Sequence, residues 1–173
     1  KMNESENVEL GKLIKAIAEG DRNAIGEIFQ RVGGAMKAVA RSYLLSEADA
    51  EDVVQDCLLT IVRKADKFRE NKNAKAWINT IVKNLAKNKL KCYKRRMESP
   101  LEIAQGIAVE LDESSLTVYE IIIQLSQREK DLIIYRYWYQ SPLSEIAAIM
   151  HCSKSTLSYR LEKLEEKIRN FSK

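Results

Sequence analysis

The sequence of 173 residues has little glycine and proline, with six and two residues respectively. Because the turns of sheet proteins rely on these residues, their scarcity argues against an all-β fold. No run of about 18 apolar residues occurs, so the sequence predicts no transmembrane helix. The start, Lys1-Met2-Asn3, lacks the apolar core of a signal peptide. We therefore expect a cytoplasmic protein that does not insert into a membrane.

Cysteine and histidine are also scarce. The three cysteines, Cys57, Cys92 and Cys152, are an odd number at wide spacing, which fits neither a disulfide framework nor a zinc site. The one histidine is His151. We expect reduced thiols, no bound metal and no cofactor.

Apolar residues recur at helical spacing along most of the chain, which predicts an all-α fold. In the first half, the pattern predicts helices over Val8–Glu19, from an N-cap at Asp21 towards Leu45, from a cap at Ser46, and from about Ala76 to Tyr93. Gly33-Gly34 interrupts the second helix and predicts a close helix crossing or a kink. The third helix carries a regular apolar stripe: Ala50, Val53, Val54, Cys57, Leu58, Ile61 and Val62.

From Met97 the composition changes to a mostly acidic segment that contains Pro100 and Gly106. We therefore predict two small helical domains, residues 1–96 and 116–173, joined by a linker over residues 97–115. The second domain is expected to hold four helices, at about Leu116–Leu125, Gln127–Tyr139, Leu143–Met150 and Lys154–Phe171.

The last two of these helices have the spacing of a helix-turn-helix. Three residues, His151-Cys152-Ser153, form the turn, and the helix after it repeats leucine at helical spacing from Leu157. The second helix of this motif places its N-terminal residues in the major groove of DNA. Cationic and hydrogen-bonding side chains occupy that end here: Lys154, Ser155, Ser158 and Tyr159.

A second basic region lies in the first half of the chain. Thirteen basic residues against two acidic ones fall between Arg63 and Arg96. Such a region is either a solvated cationic surface or a site for a phosphate backbone, and the basic loop beside the predicted helix favours the second. The helix also carries amides that could meet base edges. Its polar residues are Asn79, Lys83, Lys87 and Lys91, which are spaced by four, with Asn84 and Asn88 beside them.

The predicted third helix has the opposite charge, with five acidic residues and no basic one between Ser46 and Thr60. Such a cluster could be a pair of catalytic acids, a metal site or a docking surface for a basic protein. No histidine or cysteine joins the acidic residues, and their spacing suits an exposed helix face more than a cleft. Charge complementarity favours the docking surface.

These segments resemble a known family. The first-half motifs are similar to region 2 of bacterial sigma factors: Gly20-Asp21-Arg22-Asn23-Ala24 with Phe29, Asp49-Ala50-Glu51-Asp52-Val53-Val54-Gln55-Asp56, and Trp77 with Asn84-Leu85. The second-half motifs are similar to region 4: Leu125 to Glu129, Tyr135-Arg136-Tyr137, Leu143 to Ala147, and Thr156 to Leu161. Two such domains with a short joining segment resemble the extracytoplasmic-function (group IV) class.

The resemblance implies a non-enzymatic sigma factor that binds core RNA polymerase and promoter DNA, and makes an anti-sigma factor an expected partner. It implies polymerase contacts at Glu51, Asp52, Gln55 and Asp56. It implies minus-ten contacts, including a pocket for an unstacked base, at Lys67, Phe68, Arg69, Asn71, Lys72, Asn79, Lys83, Asn84, Lys87 and Asn88. It implies minus-thirty-five contacts at Arg136, Lys154, Ser155, Ser158, Tyr159, Arg160 and Lys163.

Several alternatives stay open from the residues. Phe68 could hold the extruded base or seal the helix junction as a core residue. Tyr135, Tyr137, Trp138 and Tyr139 could form a stacking platform, although their helical spacing favours a core position. The whole protein could instead be a free-standing helix-turn-helix transcriptional regulator, or a helical protein that binds polymerase without touching DNA. The two separate basic, amide-bearing helices argue against the last of these.

Overall fold

The computed structural model describes residues 2–44, 46–69, 72–97 and 124–171. All regular elements within these ranges are helical, which confirms the predicted all-α fold. The chain divides into two compact units, one holding residues 2–97 and the other residues 124–171. No helix in the described ranges is long and apolar enough to cross a membrane. The predicted linker and most of the predicted helix Leu116–Leu125 lie outside these ranges.

Four α-helices form the N-terminal unit: α1 (Met2–Ala18), α2 (Ala24–Arg41), α3 (Glu47–Lys64) and α4 (Ala74–Met97). A short 3-10 turn over Ala65–Lys67 follows α3. Each of the four helices packs against the other three, so they share a single core. Large apolar side chains from all four helices are fully buried there, among them Leu10, Ile14, Ile28, Met36, Ile61 and Ile78.

Local capping sets where these helices begin and end. Gly20 has a φ of 102° and follows α1, and the amide of Asp21 donates to the carbonyl oxygen of Ala16 at 2.9 Å. This left-handed residue and its bond end the helix next to the predicted Glu19, whereas the helix starts at Met2, before the predicted Val8. The prediction that Asp21 caps α2 is wrong, because α2 begins at Ala24 and Asp21 only accepts from the amide of Asn23. The Ser46 cap is confirmed, since its hydroxyl accepts from the amide of Asp49 at 3.2 Å.

One of the two adjacent glycines of α2 makes room for a ring on the same helix. The helix continues through both residues, and a Cβ atom on Gly33 would lie only 2.9 Å from two ring carbons of Phe29. Gly33 therefore leaves room for the side chain of Phe29, which lies one turn earlier on the same helix. The predicted reasons for the glycine pair, a close helix crossing or a kink, are wrong. A Cβ atom on Gly34 would meet no atom within 4 Å.

The apolar stripe of α3 is buried as predicted at Ala50, Val53, Val54, Cys57 and Ile61, whereas Leu58 is half-buried and the last position is exposed. Val62 is 50% exposed, because each residue of an α-helix is rotated by about 100° from the one before it, which turns Val62 away from the core. Burial raises the pKa of the Cys57 thiol to about 12, so this cysteine is protonated at neutral pH.

The C-terminal unit contains α5 (Gln127–Ile133), a π-helical turn (Ile134–Trp138), α6 (Leu143–Ile149) and α7 (Lys154–Phe171). The predicted helix Gln127–Tyr139 is α-helical only in its first half. Ser126 starts α5 with a capping box: its hydroxyl accepts from the amide of Glu129, and the Glu129 carboxylate accepts from the amide of Ser126. The core of this unit contains Leu132, Ile146, Leu157, Leu161 and Leu164.

The predicted turn between α6 and α7 is confirmed. His151 has a φ of 53°, and the amides of His151 and Cys152 donate to the carbonyl oxygens of Ala148 and Ala147. This pair of bonds around a left-handed residue is the usual way to end a helix. The hydroxyl of Ser153 then accepts from the amide of Thr156 at 3.1 Å and caps α7. The turn residues therefore fix the junction between the two helices.

The space around the α2 glycines predicts a stabilising substitution. Gly34→Ala is expected to raise the free energy of unfolding by about 1 kcal/mol, because alanine has the higher helix propensity and the added Cβ meets no neighbour. Gly33→Ala is the matched control and should gain less, since the Phe29 ring must move. Urea unfolding of both variants gives the comparison, and equal gains at the two positions would contradict the packing role of Gly33.

Candidate nucleic-acid interface

The acidic residues of the predicted docking surface lie together on α3. Glu51, Asp52, Gln55 and Asp56 are all exposed and occupy adjacent turns of one helix face. Residues spaced by four along a helix are neighbours on its surface, so the four side chains form a continuous patch. We call these four residues the acidic face. No group of histidine, cysteine, aspartate and glutamate in the described part of the chain could hold a metal ion.

Lysines of two other helices already contact the carboxylates of α3. The Lys37 ammonium of α2 lies 2.6 Å from Glu47 and 2.9 Å from Glu51. The Lys89 ammonium of α4 lies 2.9 Å from both Asp49 and Asp52. The hydrogen bonds that Lys37 donates to Glu47 and Glu51 raise the pKa of Lys37. Partial burial opposes the same effect at Lys89, but its bonds to Asp52 and Asp49 still raise its pKa.

Two exposed apolar side chains extend the acidic face along α3. Leu59 and Val62 are 57% and 50% exposed, and Leu59 lies one turn after Gln55. Neither residue was predicted to lie on this surface, and Val62 was assigned to the buried stripe. Leu59 could have been recognised, since it is a large apolar residue outside that stripe. The surface therefore combines carboxylates with an apolar end.

The polar face of α4 retains most of its predicted residues. Asn84, Lys87 and Asn88 are exposed and Lys83 is half-buried. The Lys87 ammonium lies 5.8 Å from the centre of the Tyr43 ring, at the end of α2. This distance allows a cation–π contact that restrains a long side chain. We call these four residues the promoter face, after the minus-ten contacts that the resemblance implies for them.

Asn79 does not belong to the promoter face. Its side chain is only 1% exposed, so the predicted contact with a DNA strand is wrong for this residue. The prediction followed a spacing of four residues from Lys91 back to Asn79. Each such step exceeds one helical turn by about 40°, so three steps rotate Asn79 by about 120° towards the core.

The positive charge of the basic segment is also smaller at the surface than the sequence count indicates. Lys75 is completely buried, and its ammonium lies 3.0 Å from the carboxylate of Glu6. Lys89 faces the aspartates of α3. Neither lysine is therefore placed to add a positive charge for a phosphate backbone. Among the remaining basic residues, those with exposed side chains include Arg63, Lys64, Lys67, Arg69, Lys72, Lys87 and Lys91.

The segment before α4 places Phe68 against the helices. Its ring centre lies 5.3 Å from that of Trp77, and a Cβ atom on Gly11 would be 3.6 Å from the ring. Phe68 is half-buried at this junction, which favours the core role of the two predicted alternatives. Lys67, Arg69 and Lys72 around it are exposed. Asn71 lies outside the described residues.

The predicted recognition residues lie at the N-terminal end of α7. Lys154, Ser155, Ser158 and Tyr159 are exposed, and Tyr159 has 61% of its surface open to solvent. Arg136, Arg160 and Lys163 are also exposed. Lys163 pairs with Glu166 at 2.9 Å, which raises its pKa. The leucines on the other side of α7 anchor the helix, so its polar side is presented to solvent.

The aromatic cluster divides between core and surface. Tyr135 and Tyr139 are buried, with ring centres 5.5 Å apart and nearly parallel rings, as the core prediction expects. Tyr137 and Trp138 are 52% and 53% exposed, contrary to that prediction. The Tyr137 hydroxyl donates to Glu165 at 2.8 Å, which joins the π-helical turn to α7 and raises the pKa of Tyr137.

A groove of about 330 Å³ separates α5 from α7. Apolar side chains of Leu132, Met150 and Leu164 line it, and basic side chains stand around it. Tyr159, Arg160 and Lys163 of the predicted recognition surface also line this groove. The groove and that surface therefore share residues. The basic side chains around it are Arg128, Arg160, Lys163 and Lys167.

Comparison with known proteins agrees with this geometry. Sigma-70 region 2 matches residues 28–96, and Sigma-70 region 4 matches residues 115–168. The extracytoplasmic-function RNA polymerase sigma factor SigM of Mycobacterium tuberculosis is 27% identical over 80% of this chain and 64% of its own length. The sigma-E factor of Escherichia coli is 28% identical over 91% of both chains.

A solved structure shares the fold. The sigma factor RpoE of Bartonella quintana, in complex with the anti-sigma factor NepR, superposes with a TM-score of 0.60 at 23% identity, covering 84% of this chain and 94% of that one. Both regions and the relatives lead to one conclusion: the chain belongs to the sigma-70 family. Within that family it falls in the extracytoplasmic-function class.

The burial of Lys75 predicts that not every lysine of α4 contributes to DNA binding. The affinity for a single-stranded oligonucleotide falls as salt rises, and Lys87→Met should make this slope of log affinity against log salt shallower by about 0.7. That is the value for one phosphate contact. Lys75→Met should leave the slope unchanged, because its ammonium faces Glu6. Fluorescence anisotropy across a salt series measures both slopes, with circular dichroism as the folding control. Equal slope changes in the two variants would contradict this assignment.

Proposed function

We propose that the protein is a cytoplasmic, non-enzymatic sigma factor that binds core RNA polymerase and directs transcription initiation at promoters with minus-ten and minus-thirty-five elements. The observation that carries this proposal is the presence of two exposed polar helix faces, on α4 and α7, in two compact units of one chain. A free-standing regulator would need only the second. The acidic face of α3 adds a surface of opposite charge for a protein partner.

The acidic face is the proposed polymerase contact. Exposed carboxylates attract a basic partner, and the exposed side chains of Leu59 and Val62 can be covered in the same contact. The pairs with Lys37 and Lys89 hold the carboxylates of Glu51 and Asp52 in place before the partner arrives. Pre-organised side chains lose less conformational entropy on binding.

The promoter face and the exposed basic residues before α4 are the proposed minus-ten contacts. Asparagine amides can bond to base edges, while lysines bind the phosphates of a separated strand. Opening the duplex costs a few kcal/mol for each unstacked base, so the extruded base must be held by the protein. Arg69 and Lys72 are exposed, and we propose that they line this site together with Lys67.

The N-terminal end of α7 is the proposed minus-thirty-five contact. Lys154, Ser155, Ser158 and Tyr159 are proposed to enter the major groove, in the arrangement of a recognition helix. Arg160 and Lys163, further along α7, and Arg136 on the π-helical turn are proposed to bind phosphates. Phosphate contacts fix the position of the helix, and the base contacts then select the sequence.

An anti-sigma factor is the proposed second protein partner. RpoE, which shares the fold, is described in complex with the anti-sigma factor NepR. The groove between α5 and α7 has an apolar floor and basic surroundings, which suit an acidic amphipathic helix. Because Tyr159 and Arg160 line both the groove and the proposed recognition surface, an occupant of the groove would also prevent minus-thirty-five binding.

Transcription with purified core polymerase on a promoter library tests the proposed function. We expect initiation only when the protein is added, at promoters that share two sequence elements. A Lys154→Ala, Tyr159→Ala protein should still initiate but lose the preference for the upstream element. If the protein binds duplex DNA and yet supports no initiation, the proposal fails and the free-standing regulator is the better assignment.

The pair between Lys89 and Asp52 allows a controlled test of the polymerase contact. Asp52→Lys should weaken core polymerase binding at least tenfold, because a charge reversal within an interface costs more than the loss of one pair (about 1.4 kcal/mol for each tenfold change). Lys89→Ala breaks the same pair and removes its pre-organising effect but keeps the acidic face, so it should weaken polymerase binding far less than Asp52→Lys does. Competition for core polymerase measures both affinities. Equal weakening by the two variants would show that the pair, and not the carboxylate surface, matters.

A further inference from the structure

The beginning of α4 is capped by a residue of α1, far away in the sequence. The side-chain oxygen of Asn7 accepts from the backbone amide of Ala74 at 2.8 Å and from that of Lys75 at 3.3 Å. The first amides of a helix lack partners within the helix, so an acceptor there stabilises the first turn. Asn73 supplies the local cap, accepting from the amide of Ala76 at 2.8 Å. The tertiary contact therefore adds to a local one.

The adjacent residue of α1 holds the same turn through a charge. The Lys75 side chain is completely buried, and its ammonium lies 3.0 Å from a carboxylate oxygen of Glu6, which is 30% exposed. A buried ammonium is costly unless a partner compensates its charge. Glu6 therefore fixes both the direction of the Lys75 side chain and the position of the helix that carries it.

Further along α1, Gly11 supports the other end of the same segment. The Phe68 ring lies over Gly11 and against Trp77 of α4. Phe68 comes just before the exposed Arg69, and Ala74 comes just after Lys72 and Asn73. The three α1 residues thus hold both ends of the proposed minus-ten segment, and all three precede the part of the chain that matches Sigma-70 region 2.

We propose that Glu6 and Asn7 are positioning residues for promoter opening. They touch no DNA. They fix the first turn of α4, and this turn sets the position of the exposed side chains that precede it and of the promoter face that follows it. This inference rests on the proposed function of the segment. Without these contacts, the residues of the first turn and those around it have more conformations available. Binding a separated DNA strand then costs more conformational entropy.

The test measures promoter opening separately from polymerase binding. The full-length protein is assembled with core polymerase on a promoter from the library selection, with a fluorescent adenine analogue in the non-template strand of the minus-ten element. Asn7→Ala should open this promoter about fivefold less well, the effect of losing one helix cap. Asn7→Asp keeps the side-chain acceptor and should restore opening. Asn23→Ala is the matched control, because Asn23 precedes α2 without a side-chain cap bond.

A second pair of variants tests the charge. Glu6→Gln removes the carboxylate that faces Lys75 and should also reduce opening. Glu9→Gln lies on the same helix, where the carboxylate pairs with the exposed Lys12, and should open promoters like the original protein. Polymerase affinity should stay unchanged in all of these variants, and opening is measured below the temperature at which any of them begins to unfold.

The outcomes separate the two proposals. Reduced opening by Asn7→Ala with recovery in Asn7→Asp supports the positioning role. If the original protein opens the promoter and folded Asn7→Ala and Glu6→Gln proteins open it equally well, the positioning role is overturned while the proposed function stands. If the original protein opens no promoter with core polymerase, the proposed function is overturned, and the positioning role with it.

Discussion

The N-terminal unit depends on the way α4 is divided between a core and a surface. One side of this helix packs against all three other helices, while the opposite side carries the promoter face. An α-helix has only 3.6 residues in each turn, so a residue that serves the core is lost to the surface. The buried positions of Lys75 and Asn79 follow from this division, although both residues are polar. The proposed DNA-binding surface of α4 accordingly contains fewer polar residues than the helix as a whole.

The acidic face and the promoter face lie on neighbouring helices that are joined by ion pairs. Lys89 belongs to α4 by sequence, but its ammonium contacts Asp49 and Asp52 of α3. The helix that is proposed to bind DNA therefore also neutralises part of the proposed polymerase contact. The exposed carboxylate of Asp52 gains little stability from its pair, so a partner can replace that pair at small cost. The main effect of these pairs is to orient the carboxylates and to keep the helices in register.

Periodicity and capping residues made most of the fold predictable. The repeated leucines from Leu157 and the serines at positions 46 and 153 are local signals, and the structure places helix starts beside both serines. Local signals were insufficient where a choice depended on a neighbour. Gly33 could not be interpreted without the position of the Phe29 ring, and the exposure of Trp138 depends on a π-helical turn that no spacing rule anticipates.

The candidate site shows the same limit more sharply. The acidic face was predicted correctly as a single surface because its residues are neighbours on one helix. Asn79 was misplaced because a spacing of four was extended over three turns, where the error accumulates. Glu6 and Asn7 contact residues that are at least 67 positions away in the sequence, and no local sequence pattern predicts such a contact. A sequence can therefore show that α4 bears cations and amides, but the helix that holds them in position becomes visible only when the chain is folded.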